Sequence, residues 1–203
     1  LVSPGSYVSR EKQNEIINLI KKSTDMEYLV ISGSLPPGIE LSFYDEILSV
    51  LKNKGVKAIL DISSSKLKEL LSHNPLLIKP NDDELLEILG LDDKKQNIVN
   101  IMKELHRQGA QNVLLTMGDK GLYFSNRTNI YYCDSPKIKL VSSACAGDSC
   151  LGAFLSEWLL GSDIECALKK ASATGANVAE SEGIGLLDKV ESYIKGINVK
   201  TIL

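Results

Sequence analysis

No run of apolar residues in this chain approaches the roughly eighteen that a membrane-spanning helix requires, and no charged-then-apolar leader opens it. A soluble, cytoplasmic protein with no membrane partner is expected. Basic charge is not in excess: 23 Lys and Arg stand against 26 Asp and Glu, and the lysines are scattered among the acids. That balance argues against a nucleic-acid partner. Only two histidines occur, His73 and His106, far apart and without partners at matching spacing, so both read as surface or packing residues. Cys133, Cys145, Cys150 and Cys166 show no metal-finger spacing. Cys145 and Cys150 fall in and just after a glycine loop and read as small apolar fillers, in keeping with a reducing compartment. No G-x-G-x-x-G follows an early strand, which disfavours a Rossmann dehydrogenase. There is no internal repeat, low-complexity segment or linker, and the chain opens on Leu1 rather than Met. Leu1 to Gly5 reads as the end of a strand, as in a piece of a longer protein.

What is present is enough for a core: 203 residues with 43% hydrophobic composition, read as a single domain over 1–203. Short apolar runs at Tyr28–Ile31, Val56–Asp61, Leu76–Lys79 and Asn112–Met117 alternate with helical patterns. Those helices begin near Ser9 and Tyr44, with a short one over Ser64–Leu71 and another over Asn97–Gln108. Buried strands alternating with helices predict an α/β fold with a mostly parallel sheet covered on both faces. Three short strands over 121–125, 129–133 and 137–141 are expected next. Helices from Ala146, from Asp163 to about Ala179, and over 187–195 complete the chain.

Four clusters carry chemistry. Ser142-Ser143-Ala144-Cys145-Ala146-Gly147-Asp148-Ser149 runs into an apolar helix. Its backbone N–H groups sit at the positive helix end, where a phosphate is stabilised, and Asp148 is placed to take a proton from a hydroxyl. The same residues also make an ordinary helix cap. Lys79-Pro80-Asn81 with Glu84 places a lysine at a strand end and two oxygen donors three residues apart, suited to nucleotide phosphate and hydrated Mg²⁺, or equally to a capping box. Ile31-Ser32-Gly33-Ser34-Leu35-Pro36-Pro37-Gly38 empties a strand into a rigid loop of the kind that binds ligands, or that simply turns the chain. Gly118-Asp119-Lys120-Gly121 permits close backbone approach to a ligand or makes a tight turn.

Together, and in the order in which they follow one another along the chain, from Ile31–Gly38 through Lys79–Glu84 and Thr116–Gly121 to Ala146–Ser149, the clusters resemble the ribokinase-like, or PfkB, carbohydrate kinases over essentially the whole chain. The resemblance implies a three-layer α/β/α fold, with the family's N-terminal strands and lid preceding Leu1. It implies ATP as phosphoryl donor, Mg²⁺, and K⁺ in some relatives. By it Asp148 is the general base, with the amides of Ala146, Gly147 and Asp148 as anion hole. Lys79, Asn81, Thr116, Gly118, Gly121 and Ser149 are implied at ATP, and Gly33, Ser34 and Asp148 at the substrate. Asn81 and Glu84 are implied at Mg²⁺ through water, and Ser142, Ala144, Ser181 and Gly183 at the monovalent cation.

The loops are most similar to the phosphosugar branch, which implies a ketohexose phosphate as substrate. Fructose 1-phosphate is the first expectation; tagatose 6-phosphate and fructose 6-phosphate are the alternatives. A homodimer is allowed, and a non-catalytic nucleotide-binding relative is the alternative of another class. As an isolated piece the chain is expected to bind MgATP without turning over a phosphosugar. Cys145 replaces the signature's first glycine, and the expectation is an ordinary φ with the thiol packed inward.

Overall fold

A computed structural model describes residues 5–63, 67–90 and 97–203. The strand expected over Leu1–Gly5 and the first residues of the helix expected over Ser64–Leu71 therefore lie largely outside the described residues. The chain divides into two compact units, Leu1–Val113 and Leu114–Leu203.

In the first unit, α1 (Arg10–Lys22) is capped by the Ser9 hydroxyl, which accepts from the Lys12 N–H, and ends with Lys21 and Lys22 in its last turn. Both ends thus complement the helix dipole. β1 (Tyr28–Gly33), β2 (Lys57–Ile62) and β3 (Leu77–Ile78) are parallel, in that order, and Ile78 pairs with Val113, the first residue of β4 (Val113–Thr116). β2 is buried from Ala58 to Ile62, as a strand covered on both faces should be. α2 (Leu41–Lys54) stops at Gly55, which takes φ 72° as its left-handed C-cap. α3 (Leu67–Leu70) and a 3₁₀ turn over Leu71–His73 precede β3, while α4 (Asp82–Leu89) and α5 (Ile98–Gln108) follow it. His73 holds α2 through a 3.0 Å contact between Nε2 and Asp45 Oδ1, and His106 Nδ1 lies 2.8 Å from the Ala110 carbonyl oxygen. Both histidines therefore serve packing. The apolar side of α1 is narrower than its sequence suggests: Ile17 and Ile20 are buried but Ile16 and Leu19 are exposed.

In the second unit, β5 (Leu122–Ser125), β6 (Ile130–Cys133) and β7 (Val199–Thr201) are antiparallel neighbours. One expectation fails here, and one strand was not expected. Residues 137–141 form no strand, and Val199–Thr201, a short polar stretch near the end of the sequence, does. The reason is competition for one edge, because β7 takes the β6 ladder with Tyr131 opposite Thr201 and Cys133 opposite Val199. Asp134 seals this arrangement by accepting from Asn198 N at 2.8 Å and Asn198 Nδ2 at 3.1 Å.

α6 (Ala146–Trp158), α7 (Ile164–Ala179) and α8 (Val190–Ile194) complete the unit. Phe124, Phe154 and Trp158 form an aromatic cluster with ring centroids 5.2 to 5.8 Å apart. The small residues of α7 let α6 come close: a Cβ on Gly175 would lie 3.2 Å from the Ala146 carbonyl oxygen and 3.3 Å from Cys150 Cβ. No helix among the described residues is long and apolar enough to cross a membrane.

Candidate active site

The first unit collects polar residues at the carboxyl ends of its parallel strands, where open α/β sheets receive ligands. In register, Ser32 lies opposite Asp61 and Gly33 opposite Ile62, and Lys79 N donates to Leu60 O at 2.9 Å. Ser34 is exposed just beyond Gly33, whose φ of 105° calls for glycine and beside which a Cβ would meet nothing within 4 Å. Lys79, expected at ATP phosphate, is buried, and its Nζ lies 2.9 Å from Asp61 Oδ1, itself buried. Asp61 was not among the residues singled out from sequence. The signal available was an acid set within the apolar run from Ala58 to Ile62.

Asn81 and Glu84 close a full capping box: Asn81 Oδ1 accepts from Glu84 N at 2.8 Å, and Glu84 Oε2 accepts from Asn81 N at 3.0 Å. The capping reading is thus realised in the structure. The box occupies one carboxylate oxygen of Glu84, so a hard oxygen donor remains, which is the chemistry a hydrated Mg²⁺ takes.

In the second unit Thr116 ends β4, and Gly118 to Lys120 make a single 3₁₀ turn closed by Met117 N donating to Gly121 O at 2.9 Å. A side chain on Gly121 is excluded, since its Cβ would fall 2.2 Å from the Cys133 carbonyl oxygen. Gly118, at φ 57°, would place a Cβ in open space.

Ala146, Gly147, Asp148 and Ser149 form the first turn of α6, with Cys145 as N-cap. Ser149 N donates to Cys145 O at 2.9 Å and Ala146 N to Ser143 O at 3.3 Å. The N–H groups of Gly147 and Asp148 have no acceptor among the described residues, and the Asp148 carboxylate is exposed on the same turn. Two unsatisfied donors at the positive end of a thirteen-residue helix form an anion-binding geometry.

Cys145 overturns the expectation made for it. It adopts φ 62° and ψ −2°, the left-handed region, and it is exposed rather than packed inward. The chain must reverse into α6 at this point, and a left-handed cap does so whether or not the residue is glycine, at a cost of about 1 to 2 kcal/mol. Cys150, by contrast, is buried against α7 as a filler should be, and all four cysteines are free thiols.

The last turn of α7 supports this loop. Ala179 O accepts from both Val141 N at 2.9 Å and Ser142 N at 3.0 Å. Asn177, buried, accepts from Lys189 N at 2.9 Å and donates to Ser181 Oγ at 3.3 Å. Ser142 and Ser181 are thereby tied to the same helix end. The carbonyl oxygens of Ser142, Ala144, Ser181 and Gly183 accept no hydrogen bond among the described residues, so their chemistry fits a monovalent cation.

Polar residues at parallel strand ends in the first unit, and an open glycine-containing helix entry in the second, are features of α/β proteins that handle phosphate groups. The fold matches phosphofructokinase-2 from Escherichia coli, solved in complex with potassium, with a TM-score of 0.86 and 25% identity over 96% of this chain and 66% of that one. The model of the pfkB family carbohydrate kinases matches residues 5–189, and the chain belongs to that family. It is 50% identical over 200 residues to D-tagatose-1-phosphate kinase of Klebsiella oxytoca, covering 98% of this chain and 66% of that protein. It is 33% identical over 192 residues to 1-phosphofructokinase of Borreliella burgdorferi, covering 94% of this chain and 61% of that protein. The chain thus spans just under two thirds of the length of these relatives.

Proposed function

We propose that the complete protein transfers the γ-phosphoryl group of ATP to a hydroxyl of a ketohexose 1-phosphate. The observation that carries this reading is the α6 entry, where two amides without an acceptor and a solvent-facing carboxylate share one helical turn. Asp148 takes the proton of the attacking hydroxyl. The unsatisfied amides of Gly147 and Asp148, joined by that of Ala146 beside its 3.3 Å bond to Ser143 O, receive the negative charge of the transferring group, the kind of preorganised donor set that lowers such barriers. Lys79, held by Asp61, is assigned to the ATP phosphates together with Thr116, Gly118, Gly121, Ser149 and Asn81. Gly33 and Ser34 are assigned to the sugar phosphate.

Mg²⁺ bound through water to Glu84 and Asn81 would neutralise charge on the phosphate oxygens. A potassium ion at the carbonyls of Ser142, Ala144, Ser181 and Gly183 would brace the α6 entry, a reading supported by the potassium-bound relative. Assembly as a homodimer belongs to the same proposal and is read by sedimentation of the complete protein.

The 50% identity to a protein named D-tagatose-1-phosphate kinase supports tagatose 1-phosphate, which was not among the substrates expected from sequence, ahead of fructose 1-phosphate. ADP release is to be measured with the complete protein on the 1- and 6-phosphates of tagatose and fructose. The expected result is a kcat/KM at least about tenfold higher for a 1-phosphate, the size of discrimination that a few polar contacts supply. Preference for a 6-phosphate would overturn the substrate assignment. Absence of ADP release with every acceptor would overturn the reading as a phosphosugar kinase.

A further inference from the structure

The buried stripe of α1 runs Gln13, Ile17, Ile20, at i, i+4 and i+7, and its first place is held by an amide. Gln13 is 4% exposed. A buried amide is costly unless it is bonded, and this one is. Gln13 Nε2 donates to Val8 O at 3.1 Å and to Gly38 O at 2.8 Å, while its Oε1 accepts from Arg10 Nη1 at 3.3 Å. Arg10 Nη2 in turn pairs with Glu46 Oε2 of α2 at 3.0 Å. A second strand of the same clamp is Val8 N donating to Pro37 O at 2.8 Å. Gly38 fits only as glycine, with φ 91° and a would-be Cβ 2.6 Å from Val8 O and 2.7 Å from the Tyr7 ring.

The loop from Gly33 to Gly38 is therefore fixed at both ends. Its near end is fastened to β2, with Ser63 N donating to Gly33 O at 3.2 Å. Its far end is fastened to α1 by Gln13. An apolar side chain at position 13 would serve the stripe equally well for burial, but it would leave the carbonyls of Val8 and Gly38 without their donor. The amide thus adds defined loop geometry rather than apolar contact.

We infer that Gln13 is a positioning residue for the sugar phosphate, holding the Gly33–Gly38 loop so that Gly33 and Ser34 present their polar groups in one place. This rests on the reading of Gly33 and Ser34 as substrate residues. Small displacements of positioning groups are expensive, an error of about 1 Å costing up to about a hundredfold.

The test uses the complete protein with Gln13→Met, which keeps length and removes both donors, Gln13→Asn, which withdraws the amide by one methylene, and Ser34→Ala as a control on the reading. Steady-state kinetics are taken on the preferred ketohexose phosphate, with hydrogen exchange at the Val8 amide. Gln13→Met should raise KM for the phosphosugar by about tenfold or more, leave KM for ATP within about twofold, and speed exchange at Val8. Gln13→Asn should show the same selective rise, and it carries the test if the Met variant does not fold. If Ser34→Ala raises the sugar KM and the Gln13 variants do not, the clamp is packing only and the inference falls alone. If neither Ser34→Ala nor the Gln13 variants change it, the substrate reading of the loop falls with it. A rise in both KM values together marks general loosening and also overturns the inference.

Discussion

Replacing Cys145 by glycine should stabilise the protein, although it removes a side chain. At φ 62° and ψ −2° an L-residue carries about 1 to 2 kcal/mol of conformational strain that glycine does not. The exposed thiol accepts no cap bond and makes none, so no packing is forfeited. Against this stands the greater freedom glycine has in the unfolded chain, roughly 0.5 to 1 kcal/mol. The net expectation is a gain of about 0.5 to 1 kcal/mol, or a rise in Tm of about 1 to 4 °C for a chain of this size. Calorimetry on wild type, Cys145→Gly and Cys145→Val decides it. The β-branched variant should melt below wild type, because a left-handed φ is hardest on a branched Cβ. A lower Tm for Cys145→Gly, or a Cys145→Val protein as stable as wild type, would refute the argument that the left-handed cap is strained.

Asp148→Asn should leave KM for ATP nearly unchanged and lower kcat by about 10² to 10⁴, the usual contribution of a general base; retention of more than about a tenth of turnover would reduce Asp148 to a helix-turn residue. Asp61→Asn leaves the buried Lys79 ammonium without its carboxylate and should cost about 3 to 5 kcal/mol in denaturant unfolding, whereas the double change Asp61→Leu with Lys79→Met should recover most of the stability but not the activity. Burial pushes the Cys133 thiol up to about 12, so a thiol reagent at pH 8 should modify Cys145 and Cys166 rapidly and leave Cys133 and Cys150 intact in the folded protein. The native state holds the Cys133 proton more tightly than the unfolded chain does. Its contribution to stability is therefore full below the ordinary thiol value of 9.0 and declines as pH rises from there toward about 12; a Cys133→Ala variant should lose that alkaline decline in a Tm-against-pH series.

Local signals carried much of this protein. The caps at Ser9, Asn81, Asn97 and Asp163 and the stop at Gly55 lie within one helical turn of the bonds they make, so their residue types announce them. The apolar run Ala58–Leu60 of β2 and the small residues of α7 likewise state their burial directly. The order of the Lys79, Thr116 and Asp148 clusters along the chain was enough to suggest the family. What the tertiary structure decided are contacts between residues far apart in sequence. Lys79 meets Asp61, Gln13 meets Gly38, and Asn198 meets Asp134, and no periodicity links the members of any pair. The alternating stretch over 137–141 has the pattern of a strand, but a strand also needs a free neighbouring edge, and Val199–Thr201 holds the one on β6. Cys145 is the same lesson at a single residue: side-chain preference argued for an ordinary φ, but the path of the backbone into α6 requires a left-handed one. Sequence patterns report what a residue does to its own helix or strand; which donor, edge or backbone turn it must serve is fixed only when distant segments meet.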